Sequence, residues 1–112
     1  MIFEDAGIKG IKVELKQLDE IADSTGFVRW QWEYHKATYD YEIEREQSNY
    51  YLRINTRAIE GRLESPRAVL EIEDAYLGKG TYPRGLDYNV AFPDDVLKEA
   101  TSKLNQFTQQ VK

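Results

Sequence analysis

Cysteine is absent from the 112 residues, which excludes disulfides, thiolate metal ligands and cysteine nucleophiles and agrees with a reducing compartment. Histidine occurs once, at His35, and a lone imidazole cannot build a histidine-rich metal centre. No apolar run approaches the roughly 20 residues of a membrane span, and the opening MIFEDAGIKG lacks a basic start followed by an apolar stretch. The cytoplasm is the expected location. Positive charge is in deficit, since 15 basic against 20 acidic residues leave a formal charge of −5. The basic residues are not gathered either, so a polyanion meets a repulsive mean field and nucleic acid is not an expected partner. Internal repeats, low-complexity tracts and linker-like shifts in composition are also missing.

What is present reads as one globular domain spanning residues 1–112, with apolar and charged residues interspersed. Ile11, Val13 and Leu15 alternate with Lys12, Glu14 and Lys16 at the period of a half-buried strand. Leu18, Ile21 and Ala22 then recur at helical spacing, and Gly26 stands where a left-handed residue ends a helix of about two turns. In VRWQWEYH the apolar set is Val28, Trp30, Trp32 and Tyr34; in ATYDYEIERE the parity inverts to Ala37, Tyr39, Tyr41 and Ile43. A hairpin turning on His35 and Lys36 produces this inversion, and sets Trp32 against Tyr39, Trp30 against Tyr41 and Val28 against Ile43 on one dry face.

A second turn at Ser48 and Asn49 carries the sheet on through Tyr50, Leu52, Ile54 and Ala58. Ile43 then faces Ile54 inside, while Glu44 faces Arg53 and Asp40 faces Arg57 on the wet side. Ala68, Leu70 and Ile72 begin a fourth strand whose alternation slips near Asp74, the mark of a bulge or a strand end. GKGTYPRG reads as a loop, and Leu86, Tyr88, Val90 and Phe92 as a short last strand. Leu97, Ala100, Leu104, Phe107 and Val111 follow at spacings of 3 and 4, an amphipathic helix of about five turns with Asp94 and Asp95 at its anion-favouring start. The predicted fold is α+β: an antiparallel meander sheet of about five to six strands, with a short N-terminal helix and a long C-terminal helix packed on one face.

The aromatic residues of the first hairpin are therefore expected in the core. They are not expected to be a stacking platform, because their face carries Val28, Ile43, Leu52 and Ile54 while the opposite face carries Asp40, Glu42, Glu44 and Glu46. Those carboxylates, about 6.7 Å apart along a strand, read as a solvated charge ladder rather than a chelate or an acid–base pair. GKGT at 78–81 departs from a phosphate loop, since Glu73 and Gly80 stand where that motif requires Gly and Ser or Thr. No catalytic residue, metal site or cofactor is assigned. Tyr51, Ile59, Val69 and Leu77 fall near the wet face and suggest a dimer contact. The leading expectation is a non-enzymatic module that binds a protein partner or itself. The alternative is a small-molecule binder with a pocket between the aromatic sheet face and the 78–85 loop, lined by Trp30, Tyr39, Tyr82 and Arg84.

The stretches GFVRWQWEYHKATYDYEI, YYLRINTRAIEG and LGKGTYPRGLDYNVAFP resemble the YugN-like family, small soluble proteins of low-GC Gram-positive bacteria. The resemblance extends over nearly the whole chain. It implies a cytoplasmic bacterial domain and carries over no activity, cofactor or functional residue.

Overall fold

The change of period near residue 15 is a change of element. In the computed structural model Lys12–Glu14 is strand β1 and Leu15–Thr25 is helix α1, so Leu15 opens the helix instead of closing the strand. The Leu15 and Lys16 N–H groups, which have no partner inside the helix, donate to the Ala68 and Pro66 carbonyls at 2.8 and 3.0 Å. After α1 come β2 (Val28–Gln31), β3 (Lys36–Glu44), β4 (Asn49–Glu60), β5 (Val69–Thr81), β6 (Gly85–Asp87) and α2 (Asp94–Val111). The structure describes residues 1–112 except 5, 32, 33, 47 and 82–84, with the backbone alone of 31 and 81. The expected pairing partner Trp32 and the candidate residues Tyr82 and Arg84 thus lie outside the described residues. Among the described residues no helix is long and apolar enough to cross a membrane.

The strands form one antiparallel sheet in the order β1-β5-β4-β3-β2, with β6 also on β5. Both helices pack on its inner face. Tyr39, Leu52, Ile54, Leu70 and Ile72 from the sheet meet Leu18, Ile21, Leu104 and Phe107 from the helices in one buried cluster. Ile43, Tyr50 and Leu77 meet Val96 and Ala100 in a second. The buried line of α2 runs through Val96, Ala100, Leu104, Phe107 and Thr108. It shares Ala100, Leu104 and Phe107 with the expected stripe and differs at the ends, where Val96 and Thr108 are buried while Leu97 and Val111 are half-buried and packed against the clusters. As predicted, Gly26 ends α1 at φ +88°, a left-handed conformation that glycine adopts without steric cost.

Two registers differ from expectation. The β2–β3 pairs are Val28 with Asp40, Arg29 with Tyr39 and Trp30 with Thr38, three residues away from a turn on His35 and Lys36. An odd slip exchanges the faces of a strand. Val28 and Trp30 consequently lie on the outer face, away from the helices, and the rings of the first hairpin occupy both sides of the sheet. The cause is Phe27, 3% exposed, whose ring lies 5.6 Å from that of Tyr41 and 5.2 Å from that of Phe107. Coming directly after the helix-ending Gly26, Phe27 takes the inner position, and alternation sends Val28 and Trp30 outward. The β3–β4 register is displaced by four, an even slip that keeps the faces: Tyr39 faces Ile54, Ile43 faces Tyr50 and Asp40 faces Arg53. The last pair there is Glu44 with Asn49, where Ser48 and Asn49 were expected to form the turn.

Strand β5 carries the slip anticipated at Asp74. Ile54 pairs with Ala75 and Thr56 with Ile72, so Glu73 and Asp74 together oppose Asn55 and form a bulge. The bulge swaps parity within the strand, burying Leu70 and Ile72 before it and Ala75 and Leu77 after it. It also lets the strand run on through Gly78–Thr81, where a loop was expected. Gly78 is needed there for space: a β-carbon would stand 2.9 Å from Leu86 Cβ and 3.1 Å from the Tyr88 ring. Of the expected last strand, Gly85–Asp87 is strand and Phe92 instead packs edge-on against Tyr50 at 5.9 Å.

Helix α2 is also clamped to the β3–β4 hairpin by charge. The Tyr41 hydroxyl donates to Glu99 Oε2 at 2.8 Å, and Arg45 donates to Glu99 Oε1 at 3.0 Å and to Asp95 Oδ2 at 2.7 Å. The Lys103 ammonium stands 5.0 Å from the Tyr41 ring centroid. The Tyr41 hydrogen bond first, and then Arg45, hold the Glu99 carboxyl below its ordinary value of 4.5. A carboxyl with a depressed folded-state pKa stabilises the fold above its unfolded-state pKa, and this contribution disappears as pH falls through the folded value.

Two outcomes follow from this packing. Gly78→Ala is expected to lower stability by about 1–3 kcal/mol through overpacking against Leu86 and Tyr88, read as a lower urea midpoint at unchanged slope. Glu99→Gln is expected to be less stable than the parent at neutral pH, with the difference closing as pH is lowered from about 5 to about 3. Urea midpoints measured across that range check it, and a pH-independent difference would show that the clamp is not ionic.

Candidate functional site

The outer face of the sheet is organised in cross-strand rows. One runs Val28, Asp40, Arg53, Tyr76. Within it Arg53 grips Asp40 by two parallel hydrogen bonds, Nε to Oδ1 and Nη2 to Oδ2, both 2.9 Å. Such bidentate pairs are the stronger kind. Asp40 is only 7% exposed, so this member of the acidic strand is not the solvated group expected from sequence, and its partner is Arg53 instead of Arg57. Hydrogen bonding to Asp40 pushes the already high pKa of Arg53 further up. Arg57 stands 3.7 Å from Glu71. In neighbouring rows Tyr51 donates to Glu42 at 2.7 Å, which raises the Tyr51 phenol, and Thr38 donates to Asn55 at 3.2 Å. The Tyr76 and Tyr88 rings lie 5.4 Å apart.

At the β2 end of this face the apolar residues are not covered. Trp30 is 51% exposed and Val28 59%, and Tyr34 and Ile59 are exposed at the same end. There the Ala58 N–H donates to the His35 carbonyl at 2.7 Å, and the Arg62 guanidinium lies 5.7 Å from the Tyr34 ring centroid. The dimer patch expected from sequence is not assembled: Leu77 is buried on the inner side of the bulge, Tyr51 is tied to Glu42, and Val69 is half-buried. Ile59, at a register irregularity between Ala58 and Glu60, is the member that stays exposed. His35 falls in the turn and is exposed, as predicted.

On the inner face the site centres on Tyr39. Its ring is fully buried, and its hydroxyl donates to Asp19 Oδ1 at 2.7 Å. Burial, then the hydrogen bond to Asp19, raise its pKa far above the usual phenol range, which favours the protonated phenol that donates to Asp19. Arg29, its cross-strand neighbour, brings Nε to 3.6 Å from the same Asp19 oxygen, longer than a hydrogen bond. Its Nη1 is buried and has no hydrogen-bond partner among the described residues. An unsatisfied buried donor costs about 1–3 kcal/mol. Beside it a cleft of about 360 Å³ opens between α1 and the 63–66 turn, bordered by Lys16, Asp19, Asp23 and Leu63.

Of the four candidate ligand residues, Trp30 and Tyr39 therefore lie on opposite faces of the sheet, while Tyr82 and Arg84 lie outside the described residues. Among the described residues no group of three His, Asp or Glu side chains is placed to hold a metal ion. Sequence reasoning missed Arg29 and Asp19. The signal for them was the parity of Phe27, since an inward Phe27 makes Arg29 the next inward residue.

Comparison with known proteins agrees with this architecture. The model of the YugN-like family matches residues 5–112. The chain is 34% identical over 113 residues to the uncharacterized protein YlbA of Bacillus subtilis (strain 168), covering 98% of this chain and 94% of that protein. It also superposes on the crystal structure of the uncharacterized conserved protein YugN from Geobacillus kaustophilus HTA426 with a TM-score of 0.87 and 33% identity, over 99% of this chain and 94% of that one. A family match over almost the full length, together with a shared fold at one-third identity, means that the chain belongs to the YugN-like family.

Proposed function

We propose that the protein is a non-enzymatic interaction module that associates with a second copy of itself through the β2 end of its outer sheet face. The observation that carries this reading is Trp30, half exposed on a sheet face that neither helix covers. The half of its surface left in water forgoes transfer free energy that a partner surface would return, and tryptophan is among the side chains most concentrated at interface hot spots. Val28 lies beside it, and Tyr34 and Ile59 extend the apolar surface.

The surrounding charge fits a two-fold contact. Lys36 and Arg57 lie in the row on one side of Trp30, with Glu71 3.7 Å beyond Arg57 in that same row, and Glu42 lies past Val28 on the other side, so a copy rotated by half a turn can set Lys36 against Glu42 on both sides of the axis. The bidentate Asp40–Arg53 pair keeps the platform beneath these residues rigid and electrically neutral, as a contact surface requires when water is excluded from it.

Sedimentation velocity from low to high micromolar concentration tests the reading. The native chain is expected to shift from monomer towards dimer, and Trp30→Lys to remain monomeric while still unfolding cooperatively, since the ring lies on the outer face. A native chain that stays monomeric throughout, or a variant that associates like the parent, overturns it.

A further inference from the structure

The cleft beside α1 lies on the other side of the sheet from the proposed contact and has its own chemistry. The Arg29 guanidinium is 31% exposed and paired only loosely with Asp19 at 3.6 Å. One of its nitrogens lacks an acceptor among the described residues, although charged guanidinium groups are ordinarily saturated with acceptors when buried. The site is therefore short of one anionic or carbonyl oxygen. Its rim is not that of a simple anion site, because the carboxylates of Asp19, Glu20, Asp23 and Glu64 outnumber the cations of Lys16 and Arg29. A bare anion would be repelled by this rim, and a bare cation would leave the Arg29 donor unanswered. Leu15, Leu63 and Pro66 supply apolar wall, and about 360 Å³ falls within the usual size range of small-ligand sites.

We propose that this cleft binds a small zwitterion of the α-amino acid class, its carboxylate taken by Arg29 and Lys16, its ammonium by Asp19 and Asp23, and its aliphatic body by Leu15, Leu63 and Pro66. The looseness of the Arg29–Asp19 pair is what lets the guanidinium turn its unpaired nitrogen to an incoming carboxylate. Tyr39 acts as a positioning residue: its hydroxyl fixes Oδ1 of Asp19 and leaves Oδ2 for the ligand ammonium. Each charge of the ligand answers one shortage of the site.

The test is titration of the full chain with each proteinogenic L-amino acid in turn, followed by amide chemical shifts in heteronuclear NMR. At least one aliphatic member is expected to move the Lys16, Arg29 and Leu63 amides saturably. The deaminated and the decarboxylated analogues of that amino acid are each expected to bind about tenfold more weakly or worse. Arg29→Lys, which keeps the charge but loses the planar fork, is expected to weaken binding by a similar factor while the amides of α2 stay where they are in the parent. Absence of a saturable shift at those three amides with every amino acid overturns the proposal. So does equal binding by either half-analogue, which would mark the cleft as an apolar crevice, or unchanged affinity in a folded Arg29→Lys chain. The outcome is independent of the oligomeric state.

Discussion

Phe27 lies between the rings of Tyr41 and Phe107, and this three-ring contact joins the end of α1, the middle of β3 and the last turns of α2. Gly26 delivers the chain to that point by turning left-handed directly after the helix. From there alternation leaves no choice: once Phe27 points inward, Val28 and Trp30 face water, and Arg29 faces α1. The position of one aromatic residue thereby decides the character of both faces of β2. It gives the outer surface an exposed indole and gives the inner one a half-buried cation.

The outer face is built as though for burial. Its polar groups are satisfied row by row, Asp40 by Arg53, Glu42 by Tyr51 and Thr38 with Asn55, and Asp40 and Thr38 are as inaccessible as many core residues. At its other end Gly78 lets the Leu86 and Tyr88 side chains lie directly on the backbone, and Gly80 does the same for the Tyr51 ring. Several of its long side chains are thus fixed to partners across the strands, and apolar residues collect at its β2 end.

Much of the fold was legible in the sequence because two periods carry it. The 3.6-residue repeat from Val96 to Val111 and the alternation along β3, β4 and early β5 each survive small errors of register, since an even displacement preserves the buried set. Closure of the second hairpin at Glu44 and Asn49 shifted every pair of it by four, yet Tyr39, Ile43, Leu52 and Ile54 remained inside. The bulge at Glu73 and Asp74 was readable as a break in alternation, though its continuation into Gly78–Thr81 was not. Glycine there looks like a loop signal until the crowding by Leu86 and Tyr88 is known. The failure was β2. Its even residues are the more apolar by composition, and only the packing of Phe27 against residues far away in the chain shows that the odd set is buried. The grouping of Trp30 with Tyr39 went with it, for it assumed one face for both, and Asp19 reaches Arg29 only through the tertiary placement of α1.

Strand β5 has β4 along one flank and a patchwork along the other. There β1 covers Val69–Glu71, residues 1–3 pair with Ala75–Leu77 through the Ile2–Tyr76 bridge, and β6 covers Lys79–Thr81. Each patch is about three residues long and interrupted before the next begins. A foreign strand seeking a continuous row of free amides and carbonyls along that flank of β5 meets short segments already paired, a fragmented margin that is a poor template for cross-β growth.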